Sequence, residues 1–455
     1  MRMPSHCPTR PQRKLSMPHC SGRGILLAGD LASLAGDESL FAATATEKLM
    51  RLQAELQPLA ERYDVVVANP PYMGSSSLGK WNGKWIKDNF PEAYRDLCTS
   101  FIDRGFSLSN NQGYSAMVTM QSWMFLGSYE KLRGKLLRNH TISSMAHLGT
   151  RAFDAIGGEV VSTTATVFAN KKYDVPGTYL RLVNMGSEQE KAAGALEALA
   201  NPSCGWIYCC KATDFDSIPG SPIAYWSVSS INEAFKRYRS LAEVCAPKAG
   251  LSTADNERFL RFWWEVTNNG IAFDSSNQES MKKKSASCKW FPMTKGGTYR
   301  KWFGNNEYIL NFENDGEELK YWLVNNPKDP STTSYSRYIR NYDKYCEAGI
   351  SFSDVSSGQP HFRRQPSGFI PNARGPYLYT DSMVLLAFLN SSVTRAILEV
   401  LAPTLTFNVG DLAKLPIAIK VNPEIEEMAE ENIAVAEKDW DAFEVSWHFK
   451  KHPLC

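Results

Sequence analysis

The chain has 455 residues, a formal net charge of +2 and 43% hydrophobic residues. That length is enough for at least one large core and points to two domains. The near-neutral balance excludes a global nucleic-acid signature, so any DNA contact must come from local basic patches. No apolar run is long enough to span a bilayer, and residues 1–20 carry basic residues without the apolar stretch of a secretory signal. The 10 cysteines are scattered, with no zinc-spaced pair, and read as reduced thiols; no metal site is expected.

Residues 1–22 are rich in Pro, Arg, His and Ser and read as an unstructured or out-of-context start. Residues 24–30 read as a strand that ends on a glycine and the carboxylate of Asp30. Residues 41–62 carry a helical pattern, with Leu49, Leu52, Leu56 and Leu59 on one face. Asp64-Val65-Val66-Val67-Ala68 is a short apolar run, expected as a buried strand, and Asn69-Pro70-Pro71-Tyr72 follows it. Residues 73–87 are Gly, Ser, Lys and Trp in the main, polar and flexible by composition. Helix signals resume near Glu92, with Leu97, Phe101, Ile102 and Phe106 at helical spacing. Gly113 reads as a turn, 114–120 as a strand, 129–139 as a helix, and 141–146 and 160–168 as further strands. Strands and helices in alternation indicate a doubly wound α/β sheet. A helical stretch at 188–200 reads as a connector. From about residue 222 to 419, many aromatics and short strands suggest a second, α+β domain. An acidic helix begins after Asn422.

The 69–72 tetrapeptide carries the most chemistry. Two prolines stop the strand and remove two N–H donors, which stiffens the loop. An amide stands before them and an aromatic ring after them. Acceptor oxygens suit the two hydrogens of a planar exocyclic amino group, and a ring suits the base that bears it. The plainer alternative is a Pro-Pro turn that ends a core strand, with Tyr72 as packing.

The tetrapeptide resembles the catalytic motif of DNA adenine-N6 methyltransferases of the γ-type order, in which recognition follows catalysis. Further stretches are similar to the large adenine-specific methyltransferases of BREX and phage-growth-limitation defence systems, and to type IIG restriction-modification enzymes. Among them are residues 250–259, 302–305, 356–360, 388–391, 407–412 with Leu415-Pro416, 439–444 and 452–454. The resemblance covers about residues 23–455. It implies part of a doubly wound S-adenosylmethionine-dependent methyltransferase domain, followed by an α+β target-recognition domain. It also implies a catalytic loop made by Asn69, Pro70, Pro71 and Tyr72. Asp30 is similar to the carboxylate that holds the cofactor adenine, though a helix N-cap explains it equally well. Asp96, Leu97 and Phe101 are similar to the helix that walls the cofactor and base pockets. Tyr72 and Phe153 are similar to the aromatics that meet the flipped base; plain core packing also explains Phe153.

The family's glycine-rich cofactor loop has no counterpart before Asp30, and the family continues beyond Cys455. The chain therefore reads as an internal piece, with little methyl transfer expected from it alone. Its domains would be 23–185 (partial catalytic domain), 186–221 (connector), 222–420 (recognition domain) and 421–455 (start of a helical region). For DNA contact, Lys282, Lys283, Lys284, Lys289, Lys295, Arg300 and Lys301 interleave with Trp290, Phe291, Tyr299, Trp302 and Phe303. His361, Arg363 and Arg364 form a smaller candidate set. A solvated basic loop over a buried aromatic cluster is the plainer alternative. The expected partners are double-stranded DNA and other defence proteins or an N-terminal part, in the cytoplasm and away from membranes. A catalytically inactive DNA-binding remnant, or a specificity subunit, is the competing function.

Overall fold

The computed structural model describes residues 40–154, 161–354, 359–403 and 408–452. The expected strand at 24–30, Asp30, and residues 356–358 and 404–407 lie outside the described residues. The fold is α/β and divides into two compact units. Unit 1 holds 1–120, 136–178 and 182–196, and unit 2 holds 121–135, 179–181 and 197–455.

In unit 1, helix Leu40–Ala60 leads into strand β1 (Tyr63–Ala68). Strand β2 (Ser109–Met120) pairs parallel with β1. Strands β3 (Thr141–Gly149) and β4 (Thr163–Ala169) follow, with β4 antiparallel to both β2 and β3. The order within the unit is β1-β2-β4-β3, so the alternating strands form a mixed sheet. Gly113 is no separate turn. It lies inside β2, where the register jumps from Tyr63↔Ser109 to Val65↔Tyr114, and a Cβ there would come 2.7 Å from the Asp64 carbonyl oxygen.

The expected burial of the 64–68 strand fails here, and the apolar face of the preceding helix is also open. Leu52, Leu56 and Leu59 are about half exposed, and β1, at the sheet edge among the described residues, shows Val65 and Val67 at 57% and 74% exposure. Apolar periodicity reports a face that suits burial and does not name what covers it. The 73–87 stretch, expected to be flexible, folds as a 3-10 turn (Ser75–Ser77) and a helix (Gly79–Asn89) anchored by buried Ile86.

Helix Leu97–Leu108 begins five residues later than its pattern suggested, because the Asp96 side chain caps it by accepting from Cys98 N. Cys98, Ile102 and Phe106 face inward. A Cβ on Gly105 would run into Ser115 Oγ on β2, so this glycine lets the helix lie close on the sheet.

Unit 2 carries two small sheets. One is built from Leu260–Phe262, Trp290–Thr294, Tyr308–Asn311 and Ile370–Pro371, and the other from Gly349–Phe352, Phe362–Gln365 and Tyr377–Leu378. Phe291, Met293, Leu310 and Phe312 centre the first core, and Ile350, Phe352, Phe362 and Leu412 the second. The acidic helix spans Pro423–Trp440. No single described helix is long and apolar enough to cross a membrane.

Candidate active site

The 69–72 loop leaves the carboxyl end of β1, the end at which ligands bind in open α/β sheets. Pro70 is buried, Tyr72 is half-buried and Asn69 is exposed. The Tyr72 hydroxyl lies 3.5 Å from Asn69 Oδ1, the outer limit of a hydrogen bond. Among the described residues the Pro70 carbonyl accepts no hydrogen bond. The loop thus presents two acceptor oxygens beside an aromatic ring. Burial, with Cys98 and Asp96 nearby, pushes the Tyr72 phenol up to about 12, so it stays protonated at neutral pH.

Asp96 holds the base of this loop. Its Oδ1 accepts from Met73 N at 3.3 Å and from Cys98 N at 2.9 Å. Leu97 N donates to the Met73 carbonyl at 2.9 Å, and Ser75 N to the Arg95 carbonyl at 2.9 Å. Gly74 and Asp96 form an antiparallel bridge. The chain between Met73 and Asp96 is therefore an excursion whose two ends are fastened together beside Tyr72. Burial, with the Asp96 carboxylate beside it, pushes the Cys98 thiol far up and leaves no thiolate nucleophile at neutral pH.

The residues expected around the cofactor are only partly brought together. Asp96 is 8% exposed and its carboxylate is committed to backbone N–H groups. Leu97 is half-buried and Phe101 is exposed, so both rise from the outer side of the same helix. Phe153 is half-buried in an irregular segment after β3, and no ring contact joins it to Tyr72.

Of the basic residues expected to meet DNA, most have protein partners. Lys284 Nζ pairs with Asp274 at 2.5 Å, and Lys289 with Glu313 at 3.6 Å. Arg300 pairs with Asp439 at 2.7 Å and lies over the Trp440 ring. Lys301 donates to the Asn390 carbonyl at 2.7 Å, and Arg364 lies 3.9 Å from Asp381. Phe291 and Phe303 are buried. Arg363 needs a correction. It is 1% exposed, and its guanidinium reaches Ser353 Oγ and the Arg300 carbonyl, so burial takes it off the surface. Lys282 and Lys283 remain exposed on helix Gln278–Lys284. Lys283 and Lys284 line an open cavity of about 580 Å³ together with Glu279.

Sequence reasoning passed over the Met73–Asp96 fastening, because a backbone N–H leaves no mark in a sequence. It also passed over Lys80, Trp81, Lys84, Trp85 and Lys87, whose spacing was a readable helical signal.

Residues 33–153 match the family of the Eco57I restriction-modification methylase. The chain is 37% identical over 403 residues to the adenine-specific methyltransferase PglX of Lacticaseibacillus casei (strain Zhang), covering 87% of this chain and 33% of the relative. It is 39% identical over 407 residues to the adenine-specific methyltransferase BrxX of Escherichia coli O9:H4 (strain HS), covering 87% of this chain and 31% of the relative. The chain thus spans about a third of the length of these relatives. Its fold is similar to that of the Type IIL restriction-modification enzyme MmeI in complex with DNA, with a TM-score of 0.50 at 11% identity, over 85% of this chain and 50% of that one. By sequence, over nearly nine-tenths of its length, the chain resembles the PglX and BrxX adenine-specific methyltransferases, and the stretch that carries Asn69 to Tyr72 matches the Eco57I methylase family.

Proposed function

We propose that this chain supplies the target-base side of an adenine-N6 DNA methyltransferase. S-adenosylmethionine would be the donor, and double-stranded DNA the substrate. The observation that carries this reading is the 69–72 loop at the carboxyl end of β1, with a Pro70 carbonyl free among the described residues, an Asn69 Oδ1 held only by a long 3.5 Å contact from the Tyr72 hydroxyl, and a half-buried ring.

Asn69 Oδ1 and the Pro70 carbonyl would accept the two N–H bonds of the adenine amino group. This pulls the nitrogen toward a tetrahedral geometry and frees its lone pair from the ring. Tyr72 would stack on the base once it has left the duplex. Its hydroxyl stays protonated and takes no part as a base. No strong base is needed, because positioning and electrostatics supply most of the acceleration and the surplus amino proton leaves to solvent after the transfer. The two acceptor oxygens at the loop, Asn69 Oδ1 and the Pro70 carbonyl, fit a neutral amine that meets an electrophile. When bound, S-adenosylmethionine supplies that electrophile as a methyl on sulfonium sulfur. Leu97 and Phe101 would wall its site, with Asp96 fixing the corner they rise from.

In this reading residues 23–185 form the catalytic part and 222–420 the recognition part, joined by 186–221, with 421–455 opening a helical region. The enzyme's role would be to mark host DNA in phage defence or restriction-modification. The test is transfer of labelled methyl to duplex DNA by native and Asn69→Ala sequence, each carried in a full-length methyltransferase. The substitution should lower transfer by roughly 10²- to 10³-fold while leaving DNA affinity nearly intact. Native-level transfer by Asn69→Ala would remove the assignment of the site.

A further inference from the structure

The excursion fastened at Met73 and Asp96 carries a helix, Gly79–Asn89, with a distinctive surface. Lys80, Lys84 and Lys87 stand at i, i+4 and i+7, which places them in one stripe. Trp81 and Trp85, one position further on, form a parallel stripe beside it. Trp81 is 76% exposed and Trp85 39%. Among the described residues, Lys80 and Lys84 have no ion-pair or hydrogen-bond partner, and Lys87 is exposed near the Tyr94 ring. The helix carries a single carboxylate, the exposed Asp88, against three lysines. Core packing does not explain Lys80, Trp81 and Lys84, because the helix is anchored elsewhere, through buried Ile86 and the edge contact of Trp85 with Phe90.

The helix is a poor one on its own terms. It contains Gly79 and Gly83, and no side chain caps its N-terminus. A surface lysine stripe adds nothing to such a helix, and an exposed tryptophan forgoes the free energy of burial. Both features suit a polyanion that carries flat rings.

We propose that helix Gly79–Asn89 is a DNA grip of the catalytic unit. Lys80, Lys84 and Lys87 neutralise phosphates that flank the target adenine, and the Trp81 indole stacks on a nucleobase. The inference rests on the proposed function and adds to it a DNA-contacting surface outside the recognition domain. Fastening at Met73 and Asp96 ties the grip to the catalytic loop, so gripping and base placement are mechanically linked.

The test is binding of a short fluorescein-labelled duplex of mixed sequence, followed by anisotropy across a salt series. With Lys80, Lys84 and Lys87 all changed to Ala, the log–log salt slope should shrink by about 0.9 per lost phosphate contact, up to about 2.7. The triple Lys→Arg variant should keep the native slope. Trp81→Ala should weaken binding about tenfold, and Trp81→Phe should restore most of it. Thermal melting should stay native in all four, since the side chains are exposed. A native protein that binds duplex with no salt dependence would overturn both this inference and the proposed function. A native protein that binds, beside a triple-Ala variant with an unchanged slope, would overturn the grip alone. So would Trp81→Ala with native affinity, or a triple-Arg variant that behaves like the triple-Ala.

Discussion

Two stretches of this chain pair lysines with aromatics, and the structure treats them in opposite ways. In residues 282–303 four of the charges have protein partners, Lys284 with Asp274, Lys289 with Glu313, Arg300 with Asp439, and Lys301 with a carbonyl, while Lys282 and Lys283 stay exposed. Its rings at Phe291 and Phe303 are core. In residues 80–87 the charges stay in solvent and Trp81 stands out from the surface. Composition made the first stretch the stronger candidate for DNA. Partner geometry favours the second. A cation that already has an anion or a carbonyl must give it up to meet a phosphate, whereas a solvated lysine only releases water and counterions.

The largest expected effect concerns the scaffold of unit 2. His361 is 1% exposed, with Nε2 3.1 Å from Ser353 Oγ and Nδ1 3.1 Å from the Gln359 carbonyl oxygen. Arg363 and Lys301 face it as cations, and Tyr299 packs edge-on. Burial and then Arg363 lower its imidazole from 6.5 to about 4. Above pH 6.5 the ring is neutral in both folded and unfolded chains, so it carries no penalty. As pH falls from 6.5 toward 4, the unfolded chain takes up a proton that the folded chain refuses, and stability drops. The loss should reach roughly 3 kcal/mol for this group, read by denaturant melts across that window. His361→Gln should flatten that slope. If the slope is unchanged in His361→Gln, the buried network does not set unit 2's acid sensitivity.

Next comes the fastening under the proposed catalytic loop. Asp96→Ala leaves the Met73 and Cys98 N–H groups without their acceptor, at about 1 kcal/mol for the lost helix cap. Hydrogen exchange at Met73 should speed up, and methyl transfer should fall about tenfold as the loop loosens. Asp96→Asn keeps an acceptor oxygen and should restore most of both. Fast exchange in Asp96→Asn as well would mean that charge, rather than acceptance, holds the corner.

Smaller again is the effect of the lysines at 282–284. Changing all three to Ala should reduce the salt slope of DNA binding by less than the three-lysine change in helix Gly79–Asn89 does. Lys284 is already paired, so at most two contacts, about 1.8 units, are available. A larger loss here than there would reverse the comparison between the two stretches.

How much of this was legible depends on the kind of interaction. The strand-then-loop reading at 64–72 needed only an apolar run and two prolines, and β1 and the loop stand where that predicts. Helix Leu97–Leu108 was legible by its period, yet its start was not, because a cap at Asp96 outweighs apolar spacing. The antiparallel β4 between β2 and β3 was invisible, since strand order is a long-range property. Helix Gly79–Asn89 was passed over because Gly79 and Gly83, with the serines that precede it, read as flexible, although its Lys and Trp spacing is helical and Ile86 anchors it. For the basic residues, the sequence shows charge but not its partner. Asp439 is far along the chain from Arg300, and no local rule joins them.

The smallest expected effect tests that last pairing. Arg300 is mostly covered: its guanidinium contacts Asp439 at 2.7 Å and lies 5.1 Å from the Trp440 ring centroid. If this is its whole task, Arg300→Ala should leave the salt slope of DNA binding unchanged and lower the melting stability by less than about 1 kcal/mol, as for other partly exposed ion pairs. Asp439→Ala gives the sharper reading, because it frees the guanidinium without removing it. A structural Arg300 would then leave DNA affinity as it was. A DNA-facing Arg300 held back by Asp439 would instead bind more tightly, with a slope steeper by about one phosphate contact. That outcome would return residues 282–303 to the DNA surface and leave helix Gly79–Asn89 as one grip of two.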